Sequence, residues 1–447
     1  MLVLWTDALI YLLVVAAAGL SVYMVKQEHM RRPLKKIASS PVAMASLTLL
    51  LCFALIGLAD SIHFKDQDSN GNDVISLLDV ACQTMRKQTE KTYSAPFATH
   101  LYAKETITQP DGSTRWDFPR LQFGGAHLQN PETEWAGDVF GKTLIGFIKG
   151  AGLMAIILLV TWFSQNTLRP RFLGSSSAKA VWVTLFVVVS VSYTLFALSG
   201  FYHVLGTDKV GEDVFYQALK SIRTGLVIGS LTTLVMLPLA IVFGIMAGFF
   251  KGWVDDVIQF IYTTLNSIPS VLLIAASILM VQVYMTNHAE DFNNLLVRAD
   301  MRLLFLCLIL GVTSWTGLCR MLRAETLKLR EMEYVLAAKA LGVKPAMILF
   351  RHILPNVMHI VLIAVVLDFS SLVLAEAVLS YINIGVDPTT HSWGNMINSA
   401  RLEMAREPVV WWSLAAAFVF MFALVLAANL FADSVRDAFD PRRAERG

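Results

Sequence analysis

The residues Ala136 to Thr143, AGDVFGKT, place a small residue, four variable positions and Gly-Lys-Thr in the loose pattern of a phosphate-binding loop. Such a loop works when a strand precedes it and a helix follows, so that backbone N–H groups converge on phosphate. Here NPETEW precedes it, polar and turn-like, and LIGFIKGAGLMAIILLV follows, an apolar run fit to enter a membrane. The expectation is that no nucleotide binds there. The nine histidines are dispersed, and no HExxH, CxxC or GxSxG pattern occurs, so metal-dependent and nucleophilic catalysis have no constellation to rest on. Two acids inside an apolar run, Asp368 and Glu376, are unusual because ionisable groups are costly in hydrocarbon. Eight residues of helix separate them by roughly two turns, which puts them on one face.

The elements that would position these groups are membrane helices. Of 447 residues, 55% are hydrophobic and 16% charged, against roughly a quarter charged in soluble domains. Apolar runs near 2–25, 41–59, 143–163, 180–200, 222–249, 268–286, 303–322, 357–380 and 411–432 give about nine candidate spans. Lys and Arg crowd into Lys26 to Lys36, Arg169 to Lys179, Arg320 to Arg351 and Arg436 to Arg446. These clusters alternate correctly if all four are cytoplasmic, which puts the amino terminus outside and the carboxyl terminus inside. The first span lacks a small-residue cleavage site and reads as a retained anchor. Of Cys52, Cys82, Cys307 and Cys319, only Cys82 falls in an expected outer segment, so no disulfide framework is available there. The basic clusters flank spans and are accounted for by topology, which leaves no nucleic-acid surface.

Residues 60–142 change character, with KDQDSNGND and TQPDGSTRWDFPRLQFGG rich in turn formers. They read as a small extracytoplasmic insert in which DGSTRWDF has the look of a hairpin. Between the seventh and eighth spans, Glu325 to Asn356 reads ETLKLREMEYVLAAKALGVKPAMILFRHILPN. Leu327, Arg330, Tyr334, Ala337, Ala338 and Leu341 recur at helical spacing. Gly342 is expected to close that helix, Pro345 to start another and Pro355 to end it. The product is two short helices at an angle on the inner surface, with a basic, partly apolar face suited to headgroups or to a groove on a partner.

The run YVLAAKALG followed by RHILPN resembles the coupling loop of bacterial ABC importer permeases, known for its Glu-Ala-Ala, three residues, Gly pattern. HVLGTDKVGEDVF (from His203), GFFKGWVDD (from Gly248), LAEAVLSY (from Leu374), HSWGNM (from His391) and VRDAFDPR (from Val435) resemble, in order, segments of the dipeptide and oligopeptide permease family. The resemblance covers roughly residues 202–443. It implies an all-α polytopic membrane protein with a type I ABC importer core over 201–443, N-terminal helices at 1–59 made of an extra anchor and, at 41–59, the family's first helix (180–200 being the alternative for that place), an additional helix pair at 143–200, and the insert at 60–142. It also implies a second homologous permease chain, cytoplasmic ATPases that bind ATP and Mg, a periplasmic solute-binding protein, a peptide-like cargo and no cofactor on this chain, in the bacterial inner membrane.

On that resemblance Glu333, Ala337, Ala338 and Gly342, with Leu341, Met347, Phe350 and Pro355, form the ATPase-coupling loop. Asp208 and Asp213 belong to an outer gate or docking surface. Asp368 and Glu376 either line a translocation path that meets a cationic end of the cargo or satisfy neighbouring helices. Asp208 or Thr207 is also placed to cap the helix feeding the fifth span. Three departures stand out: Leu336 at the family's Glu position, Glu212 where an Arg is common, and Tyr381-Ile382-Asn383-Ile384-Gly385 in place of Phe-Leu-Gly-Leu-Gly. Two other classes stay open, a secondary transporter, with Pro238 and Pro269 breaking helices around a midplane site, and a scaffold or sensor that uses the insert.

Overall fold

The computed structural model describes residues 4–26, 28–65, 74–108, 114–165, 175–288, 290 and 294–439. Most of KDQDSNGND, the tip of the expected hairpin, most of the second basic cluster and the end of VRDAFDPR lie outside these residues. The chain begins with α1 (Trp5–Lys26), α2 (Glu28–Ser39) and α3 (Pro41–Asp60), followed by strands β1 (His63–Lys65) and β2 (Val74–Ser76). Next come α4 (Leu77–Ala81), α5 (Gln83–Lys87), β3 (Glu105–Thr108) and β4 (Thr114–Asp117), then α6 (Pro131–Gln165) and α7 (Ser176–Ser199). The remainder holds α8 (Val214–Phe250), α9 (Trp253–Ser267), α10 (Ser270–Asn287), α11 (Leu295–Ser314), α12 (Thr316–Leu329), α13 (Glu333–Ala340) and α14 (Pro345–Ile348). A π-helical turn, Leu349–Ile353, leads into α15 (Leu354–Tyr381), followed by α16 (Trp393–Glu403) and α17 (Trp412–Phe439). This is an α-helical polytopic membrane protein: among the described residues seven helices are long and apolar enough to cross a bilayer.

The first expected span is helical as α1 over 22 residues, Trp5–Lys26. One of the nine differs. The seventh, expected at 303–322, is divided at Trp315 into α11 and α12. Arg298, Asp300 and Arg302 early in α11 and Arg320 and Arg323 in α12 keep either helix from offering a long uncharged run.

The chain divides into two compact units. The first holds Lys35–Thr224 and His391–Leu430. In it α7 packs along α3 and α6. Gly146 and Gly150 of α6 face Thr194 and Ser190 of α7 so closely that an added Cβ would come within 3.1 Å and 2.9 Å of their Cα atoms, the small-residue packing that membrane helices favour. The insert carries two antiparallel hairpins, β1–β2 and β3–β4, the latter pairing Ile107 with Arg115. Its expected end at 142 falls inside α6, which starts at Pro131 with Glu132 and Glu134 in its first turn, a favourable start for a helix dipole.

The second unit holds Leu4–Leu34, Gly225–Thr390 and the residues from Phe431. α1 and α10 run along α11, and α12 packs against α15. The N–H of Thr6 donates to Asp300 Oδ2 at 3.3 Å and its hydroxyl to Asp300 Oδ1, so a buried acid of α11 receives the start of α1. Gly244 and Gly248 let α8 meet α12: a Cβ on Gly248 would lie 2.6 Å from Thr326 Cβ and 2.8 Å from Arg323 O. Around that crossing Met236, Ala240, Ile245, Trp315, Leu318 and Leu322 form a buried core.

Candidate functional site

The segment 325–356 is built from both of its faces. α12 ends at Leu329, and a turn through Arg330, where one longer helix was expected, re-aims the chain into α13. Arg330 Nη1 donates to Phe249 O at 3.1 Å across that turn. Gly342 takes φ +75°, a left-handed conformation that Gly adopts at no steric cost. It closes α13 with Gly342 N donating to Lys339 O at 3.0 Å and Val343 N to Ala338 O at 3.1 Å, the Schellman pair. Pro345 opens α14 as expected. Pro355 does not end a helix. It lies in the first turn of α15, where a missing N–H is tolerated, and the chain stays helical from Pro345 to Tyr381.

Val335, Ala338, Ile348 and Ile353 point inward and join the core around Met236 and Leu322. Leu341, Met347 and Phe350 point outward, 83%, 53% and 72% exposed, and Glu333, Leu336 and Ala337 are exposed as well. Two contacts brace the inner face. Arg323 donates to Asp255 through Nε at 2.6 Å and Nη2 at 2.7 Å, a bidentate pair of the strong kind that holds the Asp255 carboxyl below its usual value. Lys339 Nζ lies 4.7 Å from the centre of the Phe249 ring. Asp255 lies in the GFFKGWVDD stretch of the sequence, and nothing local to it announces Arg323.

The intramembrane acids share α15 but not a partner. Glu376 is buried and accepts from Ser380 Oγ at 2.7 Å, whereas Asp368 is half-buried and forms no ion pair among the described residues. Beyond them the departure at Asn383 has a backbone explanation. Asn383 takes φ +63° where the family motif has its first Gly, and Asn is among the side chains that tolerate that region best. Ile384 N donates to Leu379 O at 2.9 Å and Asn383 N to Ser380 O at 2.9 Å, so the helix closure survives the substitution.

At the start of α8 the capping residue is Asp213, not Thr207 or Asp208. Asp213 Oδ1 accepts from the N–H groups of Phe215 at 2.9 Å and Tyr216 at 3.2 Å. Asp208 instead closes the preceding loop, accepting from Val210 N, Glu212 N and Gln217 Nε2. Glu212, at the position where Arg is common, lies beside Asp208, and burial followed by that negative neighbour raises its carboxyl. Asp213 Oδ2 also pairs with His203 Nδ1 at 2.8 Å, and His203 Nε2 lies 3.6 Å from Glu90 Oε1. Glu90, from the insert, accepts backbone N–H groups of Gln122, Phe123 and Gly124. Burial opposes charge on both groups, yet the two carboxylates hold His203 up at about 9, and His203 with the three N–H groups holds Glu90 down at about 2. Composition gave no sign of this lock, because its partners are far apart in the chain.

AGDVFGKT lies wholly within α6. Its N–H groups are committed to helix bonds and cannot cradle phosphate. Lys142 Nζ bonds Asp138 at 2.5 Å and 2.6 Å and sits 4.2 Å from the centre of the Phe201 ring. Lys142→Met is expected to lower stability by about 1 kcal/mol, read as a thermal shift in detergent, with ATP photolabelling of this chain at background before and after.

Residues 240–445 match the family described as binding-protein-dependent transport system inner membrane component. The dipeptide transport system permease protein DppC of Lactococcus lactis subsp. cremoris (strain MG1363) is 30% identical over 243 residues, 54% of this chain and 65% of that protein. The glutathione transport system permease protein GsiD of Pectobacterium atrosepticum is 30% identical over 242 residues, 54% of this chain and 73% of that protein. The oligopeptide transport system permease protein OppC of Mycobacterium bovis is 32% identical over 247 residues, 55% of this chain and 78% of that protein. The match thus spans just under two thirds of the Lactococcus protein, and in this chain it takes in little more than half of the residues. With its glycine-closed surface loop braced on a common core, the chain belongs to the family of binding-protein-dependent transport system inner membrane components, the permeases of ABC importers.

Proposed function

We propose that this chain is the permease subunit that carries short peptides inward across a bacterial inner membrane, driven by ATPases on separate polypeptides. The cargo class rests on the relatives, whose names specify dipeptide, glutathione and oligopeptide transport. The mechanism rests on one observation: helices exposing Leu341, Met347 and Phe350 are fixed from behind by Val335, Ala338, Ile348 and Ile353. An apolar outer face on a packed support fits a groove on a partner and would transmit displacement. In this reading ATP and Mg bind the partner subunits, their closure draws this loop inward together with that of a second permease, and the path opens toward an external binding protein. Asp208 and Asp213 then shape the outer mouth, and Asp368 offers a negative charge to the amino group of a passing peptide.

The test is co-expression with neighbouring ATPase, permease and binding-protein genes, followed by uptake of labelled peptides into proteoliposomes. Leu341→Asp combined with Phe350→Asp alters only exposed positions, so folding is expected to change by no more than about 0.5 kcal/mol. ATPase subunits should fail to co-purify and uptake should fall to background. Uptake that survives ATP depletion and collapses with the ion gradient would instead indicate a secondary transporter. Intact uptake after deletion of the gene, with an altered response to external solute, would indicate a sensor.

A further inference from the structure

The first unit holds an apolar cavity of about 560 Å³, lined by none of the loop residues 325–356 and by neither Asp368 nor Glu376. Its walls come from α3, α7 and the first turns of α8 and α17, all four membrane-crossing helices. Phe53, Phe215, Leu219, Ile222 and Trp412 form a floor that is otherwise sealed from solvent. Val187, Val191 and Val419 lie on a rim that is about half exposed, so the cavity opens sideways. At the insert end Pro96 and Phe97 roof it, and Trp411 stands half exposed beside them.

We propose that this cavity holds one acyl chain of a phospholipid from the leaflet on the insert side. Three features favour that occupant. Along α17 the lining runs from Trp412 to Ala423, about 16 Å of helix, close to the ~15 Å of hydrocarbon in one leaflet. The walls are almost wholly apolar, with Ser192 and the Cys52 thiol among the few polar side chains. A peptide lodged there would leave its backbone groups unpaired. Finally, the Trp411 indole at the roofed end marks the depth at which aromatic side chains meet headgroups. The site joins α3 and α7 to the first turns of α8 and α17, so the retained lipid seals an internal seam of this unit.

The test uses the full chain with its co-purifying subunits in nanodiscs of phosphatidylethanolamine that carries a diazirine near the tail end. Photolabelled peptides are mapped by mass spectrometry. Residues 49–56 and 187–196 should be labelled about tenfold more than the lipid-facing part of α10, and the signal should persist when unlabelled lipid is exchanged. Val191→Trp and Ala416→Trp fill the cavity from its rim and its wall. Each should remove that excess while leaving α10 labelling unchanged, and if Ala416→Trp does not fold, Val191→Trp alone decides. Labelling no stronger than at α10, or undiminished in Val191→Trp, overturns the proposal. So does a cross-link from a photoreactive group at Val191 to a partner permease chain in place of lipid, which assigns the cavity to a helix.

Discussion

Gly342→Pro is expected to abolish uptake while leaving the chain inserted and the ATPases active. Proline fixes φ near −65°, and Gly342 stands at +75°. The substitution also removes the N–H that donates to Lys339 O. Together these cost roughly 3 kcal/mol or more, concentrated in one turn. The turn is open, with no atom within 4 Å of the position a Cβ would take, so the damage is conformational and stays local. α13 and α14 lose their mutual angle, while Val335 and Ile348 can remain in the core. Membrane extraction should show normal insertion, and ATP hydrolysis should no longer be accelerated by loaded binding protein. Gly342→Ala is the graded control: it keeps the N–H but strains φ, and should retain partial uptake. Full uptake in the proline variant would remove the basis for treating this loop as the coupling element.

Glu90→Gln is the second large effect, and it concerns the insert. His203 keeps Asp213 as its partner at 2.8 Å, so the loss falls on the charge-assisted bonds from Gln122, Phe123 and Gly124 and on the 3.6 Å contact with His203, a cost of about 2–3 kcal/mol. Amide exchange across residues 88–128 should quicken strongly, with α3 and α7 unchanged. The same pair sets a pH dependence. His203 is raised to about 9, so its contribution is full below the ordinary ~6.5 and disappears as pH rises toward 9. Glu90 is lowered to about 2, so its contribution is full above ~4.5 and fades as pH falls toward 2. Docking of the insert should therefore hold between those limits and loosen on the alkaline side first. In His203→Gln the alkaline decline should vanish from exchange measured between pH 6 and 9.

Most of the long spans of the permease core, the helix end at Gly342 and the helix start at Pro345 are legible because they depend on local rules, apolar length and the φ demands of two residue types; the breaks at Trp315 and Arg330 are not. The start of α6 was missed for a local reason as well: Pro131, Glu132 and Glu134 are a helix-start signal that polarity alone disguises as loop. Pro355 misled because a proline in a first helical turn and a proline beyond a last one look alike in sequence. What the chain could not disclose is pairing at a distance. Asp255 and Arg323 lie 68 residues apart, and the closeness of Gly248 to Thr326 depends on how two helices cross. Asn383 shows the reverse case, a departure from a family glycine at a position whose left-handed φ Asn tolerates.

The length of α15 has a mechanical consequence. Its 28 residues make a rod about 42 Å long, for which a tilt of only about 5° displaces the far tip by roughly 4 Å. Under the proposed mechanism, a small tilt imposed at the π-helical turn beside Met347 would reach Ser380 as a displacement of that size.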